Sequence, residues 1–135
     1  MNIILIPPTA IFDLYPLLAE YFDKFADRAT DGTTAHGLAL DVANTVQQCW
    51  VVREEKILAV ALTKLERGSI LTAVLTHCTG TEREKWQDLL GDELEAWAGA
   101  VGAARFKAIC RGGWSPFLKS RGMRETHRIL EKNIG

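Results

Sequence analysis

The sequence predicts an α/β domain built on a mixed, mostly antiparallel sheet of about six strands with helices on both faces. Three observations carry this. Cys49–Arg53, Ile57–Lys64 and Ser69–His77 are runs rich in Val, Ile, Leu and Thr, separated only by Glu54-Glu55-Lys56 and Glu66-Arg67-Gly68. Connections that short imply an antiparallel meander. Thr81 to about Val101 then reads as a long helix, with Trp86, Leu89, Leu90, Leu94, Trp97 and Val101 on one face. Finally, Arg105–Cys110 alternates Phe106, Ala108 and Cys110 after that helix, so it should run parallel to the preceding strand through a crossover.

The remaining elements follow in order. Asn2–Pro7 is a short apolar run closed by Pro7-Pro8, a first strand that cannot extend because proline donates no ladder hydrogen bond. Ile11, Leu14, Leu17, Leu18, Tyr21, Phe22 and Phe25 recur at helical steps. Pro16 is compatible with that helix if Asp13 caps it and the proline lies in the first turn. Thr30–Thr34 breaks the pattern, and Leu38–Gln48 carries a weaker helical one. Thr81 with Glu84 has the spacing of a capping box at the start of the long helix. A short helix at Ser115–Ser120, with Pro116 in its first turn, leads to a final strand at about Met123–Glu131. No repeat, low-complexity tract or linker divides the chain, so residues 1–135 are expected to form a single domain.

Composition narrows the function classes. The chain has 135 residues, 47% hydrophobic and 24% charged, enough apolar material for a real core. Its apolar runs fall short of the roughly 18–20 residues that span a membrane, and no targeting segment is read at the N-terminus. Cys49, Cys78 and Cys110 are widely spaced with no C-x-x-C, and His36, His77 and His127 sit in three different elements, so no disulfide framework and no metal site is signalled. Ser115 and Ser120 lack a G-x-S-x-G context. The net charge of −1 divides unevenly: from Ala103 onward eight basic residues face two acids, leaving −7 for the first 102 residues. Such a split marks either an anionic partner or contacts with the acidic half.

The order of elements resembles that of the GNAT family, the Gcn5-related N-acetyltransferases, over essentially the whole chain. The resemblance is most specific in Trp114-Ser-Pro-Phe-Leu-Lys-Ser-Arg-Gly-Met123, which looks like the family's short helix and following turn, with Gly122 free to take the left-handed conformation that ends the helix. Arg111-Gly112-Gly113-Trp114 looks like short GNAT-like proteins of phages and prophages, some of them virion components. The resemblance implies an acyl-CoA-dependent N-acyltransferase with acetyl-CoA as cofactor and an amine or protein as acceptor. In the family the fourth strand's backbone holds the pantetheine arm, and an Arg/Gln-x-x-Gly-x-Gly/Ala loop at the helix start holds the pyrophosphate. The corresponding residues here are Val74, Leu75 and Thr76, then Cys78, Thr79, Gly80, Thr81 and Arg83.

Two departures bear on activity. Neither motif glycine is present: Cys78, Thr81 and Arg83 fall on the three motif positions, and Thr81, Glu82 and Glu84 are expected to fill the helix terminus with the protein's own side chains. The tyrosine that often protonates the departing thiolate is replaced by Leu118, beside Phe117. The acetyl-CoA site therefore reads as weakened or lost. His77 is the sole titratable candidate for general base on the fourth strand, although a lone histidine at a strand end is more often structural. The alternative is a non-catalytic virion component, with Arg111, Trp114, Lys119 and Arg121 facing phage proteins or DNA. Location is expected to be the host cytoplasm or a phage particle.

Overall fold

The computed structural model describes residues 1–135. One five-stranded sheet has the order β1 (Asn2–Leu5), β2 (Gln48–Arg53), β3 (Ile57–Arg67), β4 (Leu71–Gly80), β5 (Arg105–Ala108). Each of the first four strands runs antiparallel to its neighbour, and β5 runs parallel to β4. Four helices complete the fold: α1 (Ile11–Arg28), α2 (Ala35–Ala43), α3 (Arg83–Ala100) and α4 (Ser115–Ser120). No helix is long and apolar enough to cross a membrane.

The period-two alternation of the strands divides the core into two layers. Cys49 and Val51 of β2 and Val60 and Leu62 of β3 point to the α1/α2 face, where they meet Ile11, Leu18, Phe22, Phe25, Leu38 and Val42. Trp50, Val52, Ala59 and Ala61 point the other way, joined by Leu58 at the bulge where β2 and β3 shift register, and meet Trp86, Leu90 and Leu94 of α3. Both faces of β2 and β3 are covered, which is why these runs are apolar throughout rather than alternating. Two alanines in β3 leave room for the indoles of Trp50 and Trp86. Trp50 Nε1, in a buried setting, donates to Thr63 Oγ1 at 3.0 Å, which in turn donates to Gln48 Oε1 at 3.0 Å.

Several expectations are corrected. The sheet has five strands, in keeping with the expected size of about six, but the final strand expected at Met123–Glu131 joins no ladder. Its residues 124–128 are all polar, and the adjacent Ile129 and Leu130 would fall on opposite faces of a strand, so the segment has no face to bury. α1 starts at Ile11 after a 3₁₀ turn at Pro8–Ala10, so Asp13 does not cap it and Pro16 stands inside the helix on an exposed position. Leu17, Leu89 and Val101 are exposed; burial on α3 passes instead through Trp86, Leu90, Leu94 and Ala98. Gln48 belongs to β2 rather than to the second helix.

The most consequential correction lies at the start of α3. β4 runs on to Gly80, three residues beyond the expected end, and Thr81 N still donates to Leu58 O of β3 at 2.8 Å. The strand therefore occupies the residues expected to form a loop. The turn is made by Glu82, whose φ of 55° lies in the left-handed region. No side-chain cap forms there, and the Thr81/Glu84 capping box does not exist. Thr81 contributes its carbonyl instead, which accepts from Trp86 Nε1 at 2.6 Å.

Candidate functional site

β5 pairs with Thr72–Leu75 and ends at Ala108, its last link being Ile109 N to Leu75 O at 2.9 Å. β4 continues for five residues without a partner on that edge. The chain after β5 turns away through a 3₁₀ turn at Gly112–Trp114 into α4. The divergence opens a cleft between the end of β4, α3 and α4, with a cavity of about 160 Å³. Its walls are largely apolar: Leu75, Trp86, Leu90, Phe106, Trp114 and Phe117 among them. One polar atom stands out. Gln87 Oε1 is buried in this wall and has no hydrogen-bond partner, a state that ordinarily costs about 1–3 kcal/mol.

On the opposite face of β4 the loop between α1 and α2 frames a second, polar cavity of about 660 Å³. Asp31, Asp41, Gln47, Lys64 and Thr76 line it. His77 lines both cavities.

The position of His77 follows from a bulge. Leu62 pairs with His77 and Thr63 with Leu75, so Thr76 is an extra residue on β4. The bulge breaks the alternation where the strand loses β5. The half-buried His77 ring packs against Phe25 at 5.1 Å between centroids, and Nδ1 lies 3.0 Å from Thr76 Oγ1. Burial lowers its pKa below the ordinary value; Lys64 adds to the effect and Asp31 opposes it. Burial thus favours the neutral imidazole, the form able to take a proton.

The other sequence-selected residues divide by location. Val74 is fully buried, and the stretch containing Val74 and Leu75 is sheathed by β5, so the free edge of β4 begins at Thr76. Cys78 and Thr79 lie in the ladder with β3 opposite Ala61 and Val60. Burial pushes the Cys78 thiol up to about 12, outside the range of a nucleophile at neutral pH. Thr79 Oγ1 accepts from Arg28 at 3.3 Å. Gly80 packs so closely on β3 that a Cβ would lie 2.7 Å from Ala59 Cα and closer still to Leu58 O. Arg83 turns back over the α4 segment: its guanidinium sits 4.4 Å from the Trp114 ring centroid and donates to Gly113 O at 3.3 Å.

Trp114 and Arg121 do not present a free surface. Trp114 packs on Trp86 at 6.0 Å between centroids. Arg121 crosses the bare Cα of Gly91 to pair with Asp92 and Glu95, each at 2.8 Å, and with Asp88 at 3.6 Å. Arg111 and Lys119 are exposed. Two arginines thus strap α4 onto α3 over the cleft. Leu118, at the position of the family's tyrosine, lines the cavity, and no tyrosine does.

Sequence reading missed Gln47, Gln87 and Arg28. Gln47 and Gln87 are polar residues in otherwise unremarkable positions, and only burial distinguishes them.

No family model matches the chain, and no curated protein matches it in sequence. Solved structures do. A predicted acetyltransferase from Clostridium acetobutylicum, solved with acetyl-CoA, superposes with a TM-score of 0.71 at 15% identity over 98% of this chain and 95% of that one. Glucosamine-6-phosphate N-acetyltransferase from Arabidopsis thaliana gives 0.66 at 14% identity, covering 99% and 98%. Ribosomal-protein-alanine N-acetyltransferase from Brucella melitensis biovar Abortus 2308 gives 0.66 at 12% identity, covering 100% and 99%. At these identities the likeness shows architecture alone: the chain has a GNAT fold.

Proposed function

We propose that this protein is an acyl-CoA-dependent N-acyltransferase that uses His77 as general base. The observation that carries this reading is the place of His77, a neutral imidazole at the meeting point of an apolar cleft and a polar cavity on opposite sides of a diverging sheet edge. The apolar cleft suits the pantetheine arm of acetyl-CoA, and the polar cavity suits an amine acceptor.

The residues present fit the cofactor better than the sequence alone implies. Gln87 lines the apolar cleft, and its side-chain oxygen, buried here without a donor, would gain an amide N–H of the arm on turning outward. The first turn of α3 has no side-chain cap and Lys85 N is bonded to Glu82 O at 2.9 Å, so the amides of Arg83 and Glu84 are the ones left for a phosphate. Glu82 is tied to Lys85 at 2.9 Å, which offsets one of the two carboxylates near that turn. The free edge of β4 from Thr76 onward offers main-chain groups. When bound, acetyl-CoA supplies an activated acyl thioester. His77 takes the proton of the attacking amine, Asp31 and Asp41 favour a cationic acceptor in the polar cavity, and the apolar wall around Leu118 excludes water. With no tyrosine in the lining, protonation of the leaving group falls to solvent.

This reading treats the acetyl-CoA site as altered rather than lost. The alternative of a binding module for virion proteins or DNA gains no support from Trp114 and Arg121, which are turned onto α3.

Calorimetry with acetyl-CoA tests the reading: saturable binding is expected, and no heat at millimolar ligand overturns it. The pH profile of an active preparation should show an acid limb. Neutral His77 is the reactive form and burial lowers its pKa, so kcat/KM should fall as pH drops through the depressed value and rise to a plateau above it. His77→Gln should remove that limb and lower the plateau roughly a hundredfold; an unchanged profile refutes the assignment.

A further inference from the structure

We propose that Thr76 and Gln47 act as positioning residues that fix His77 as its Nδ1–H tautomer, so that Nε2 is the nitrogen that accepts the substrate proton. The inference rests on the reading of His77 as general base and adds which atom does the work and what holds it there.

It follows from counting protons around one hydroxyl. Thr76 Oγ1 has three polar neighbours: Gln47 Oε1 at 2.7 Å, Leu62 O at 3.1 Å and His77 Nδ1 at 3.0 Å. A hydroxyl has one proton and two lone pairs. Gln47 Oε1 and Leu62 O have no proton to give, so the hydroxyl proton is directed to one of them. His77 Nδ1 can then satisfy its contact only by donating. The neutral ring therefore carries its hydrogen on Nδ1 and leaves the lone pair on Nε2. The result rests on the Gln47 amide with its oxygen toward Thr76, the shorter of the two acceptor contacts; an amide turned over would donate to Oγ1 and release the hydroxyl proton to Nδ1, giving the opposite tautomer.

The arrangement depends on the bulge. Thr76 is the residue without a partner in the β3 register, so adjacent residues Thr76 and His77 can turn toward each other instead of to opposite faces. Gln47 is 7% exposed, immediately before β2, and its carboxamide reaches across the sheet to the bulge. A buried amide committed to one hydroxyl makes the hydroxyl's direction rigid. No metal or second titratable group is needed to orient the ring. The charged groups around it are Asp31 of the α1–α2 loop, Asp41 of α2, Lys64 of β3, Arg28 of α1 and Glu131 of the C-terminal segment, all lining the same polar cavity. None is hydrogen-bonded to His77.

The first measurement needs no substitution. Protein with ¹⁵N-labelled histidine, at a pH above the His77 pKa, is observed by long-range ¹H–¹⁵N correlation, with His77 assigned by loss of its signals in His77→Gln. The expected pattern is a pyrrole-like Nδ1 and a pyridine-like Nε2. Thr76→Val should abolish that pattern, and Thr76→Ser should restore it. In the acetyltransfer assay Thr76→Val should lower kcat about tenfold without weakening acetyl-CoA binding, with Thr76→Ser recovering most of the loss. A pyridine-like Nδ1 in the unsubstituted protein overturns the inference, as does a Thr76→Val spectrum identical to the parent. If acetyl-CoA fails to bind, the enzymatic reading falls, but the tautomer of His77 still decides whether the Thr76–Gln47 pair orients the ring.

Discussion

Replacing Trp86 with phenylalanine tests how the start of α3 is held. The indole is 1% exposed, lies in the layer formed by Trp50, Ala59 and Ala61, and donates to Thr81 O at 2.6 Å. Phenylalanine keeps one ring and removes the other together with the N–H. A void of about 40 Å³ at about 24 cal/mol per Å³ costs about 1 kcal/mol. Loss of the hydrogen bond adds about 1 kcal/mol. Trp86→Phe should therefore destabilise the fold by about 2 kcal/mol, equivalent to a fall in Tm of about 8 °C for a chain of this size. Urea unfolding followed by circular dichroism measures it. Trp97→Phe is the control: Trp97 is half-buried, touches Trp50 edge-on at 5.5 Å and has no indole hydrogen bond, so its loss should stay under about 1 kcal/mol. If Trp86→Phe falls within about 0.5 kcal/mol of the parent, Trp86 does not anchor the turn, and the account of Thr81 as a carbonyl ligand rather than a cap is wrong.

Two further substitutions probe the walls of the cleft. Gly80→Ala places a methyl group against the main chain of Leu58 and Ala59, so it should cost about 1–3 kcal/mol and weaken acetyl-CoA binding by shifting the first turn of α3; an unchanged urea midpoint would mean that β3 and β4 have room between them. Arg121→Met removes the strap between α4 and α3 and leaves Asp88, Asp92 and Glu95 facing one another on α3. Amide exchange across Ser115–Gly122 should accelerate while the core strands keep their protection, and added salt should narrow the difference from the parent because the carboxylates are exposed; uniform exchange rates in both proteins would refute the strap.

Most of the architecture was legible in the sequence because it rests on local pattern. The apolar runs of β2, β3 and β4, the short turns between them and the helical spacing on α1 and α3 each reflect a periodicity that secondary structure imposes. The parallel β5 followed from the long helix before it, and α4 was bounded correctly by Pro116 and Gly122. The missing sixth strand shows the limit: Met123–Glu131 has strand-forming residues but no alternating face, and nothing local reveals that the sheet closes without it. The helix start failed for a different reason. Thr81 and Glu84 have the spacing of a capping box, yet a backbone bond to Leu58 extends the strand and takes Thr81 out of the cap position. A long-range bond between residues 58 and 81 overrode a local propensity.

The sequence by itself determined the α/β fold with helices on both faces of the sheet, the absence of a tyrosine at position 118 and His77 as the lone candidate base, since each depends on residue identity or on spacing along the chain. The tertiary structure alone decided that the α3 terminus has no side-chain cap, that Trp114 and Arg121 pack onto α3, that the Gln87 side-chain oxygen is buried without a partner, and that Gln47 reaches Thr76 beside His77. Each of these joins residues far apart in the chain, and packing rather than local preference sets the distance between them.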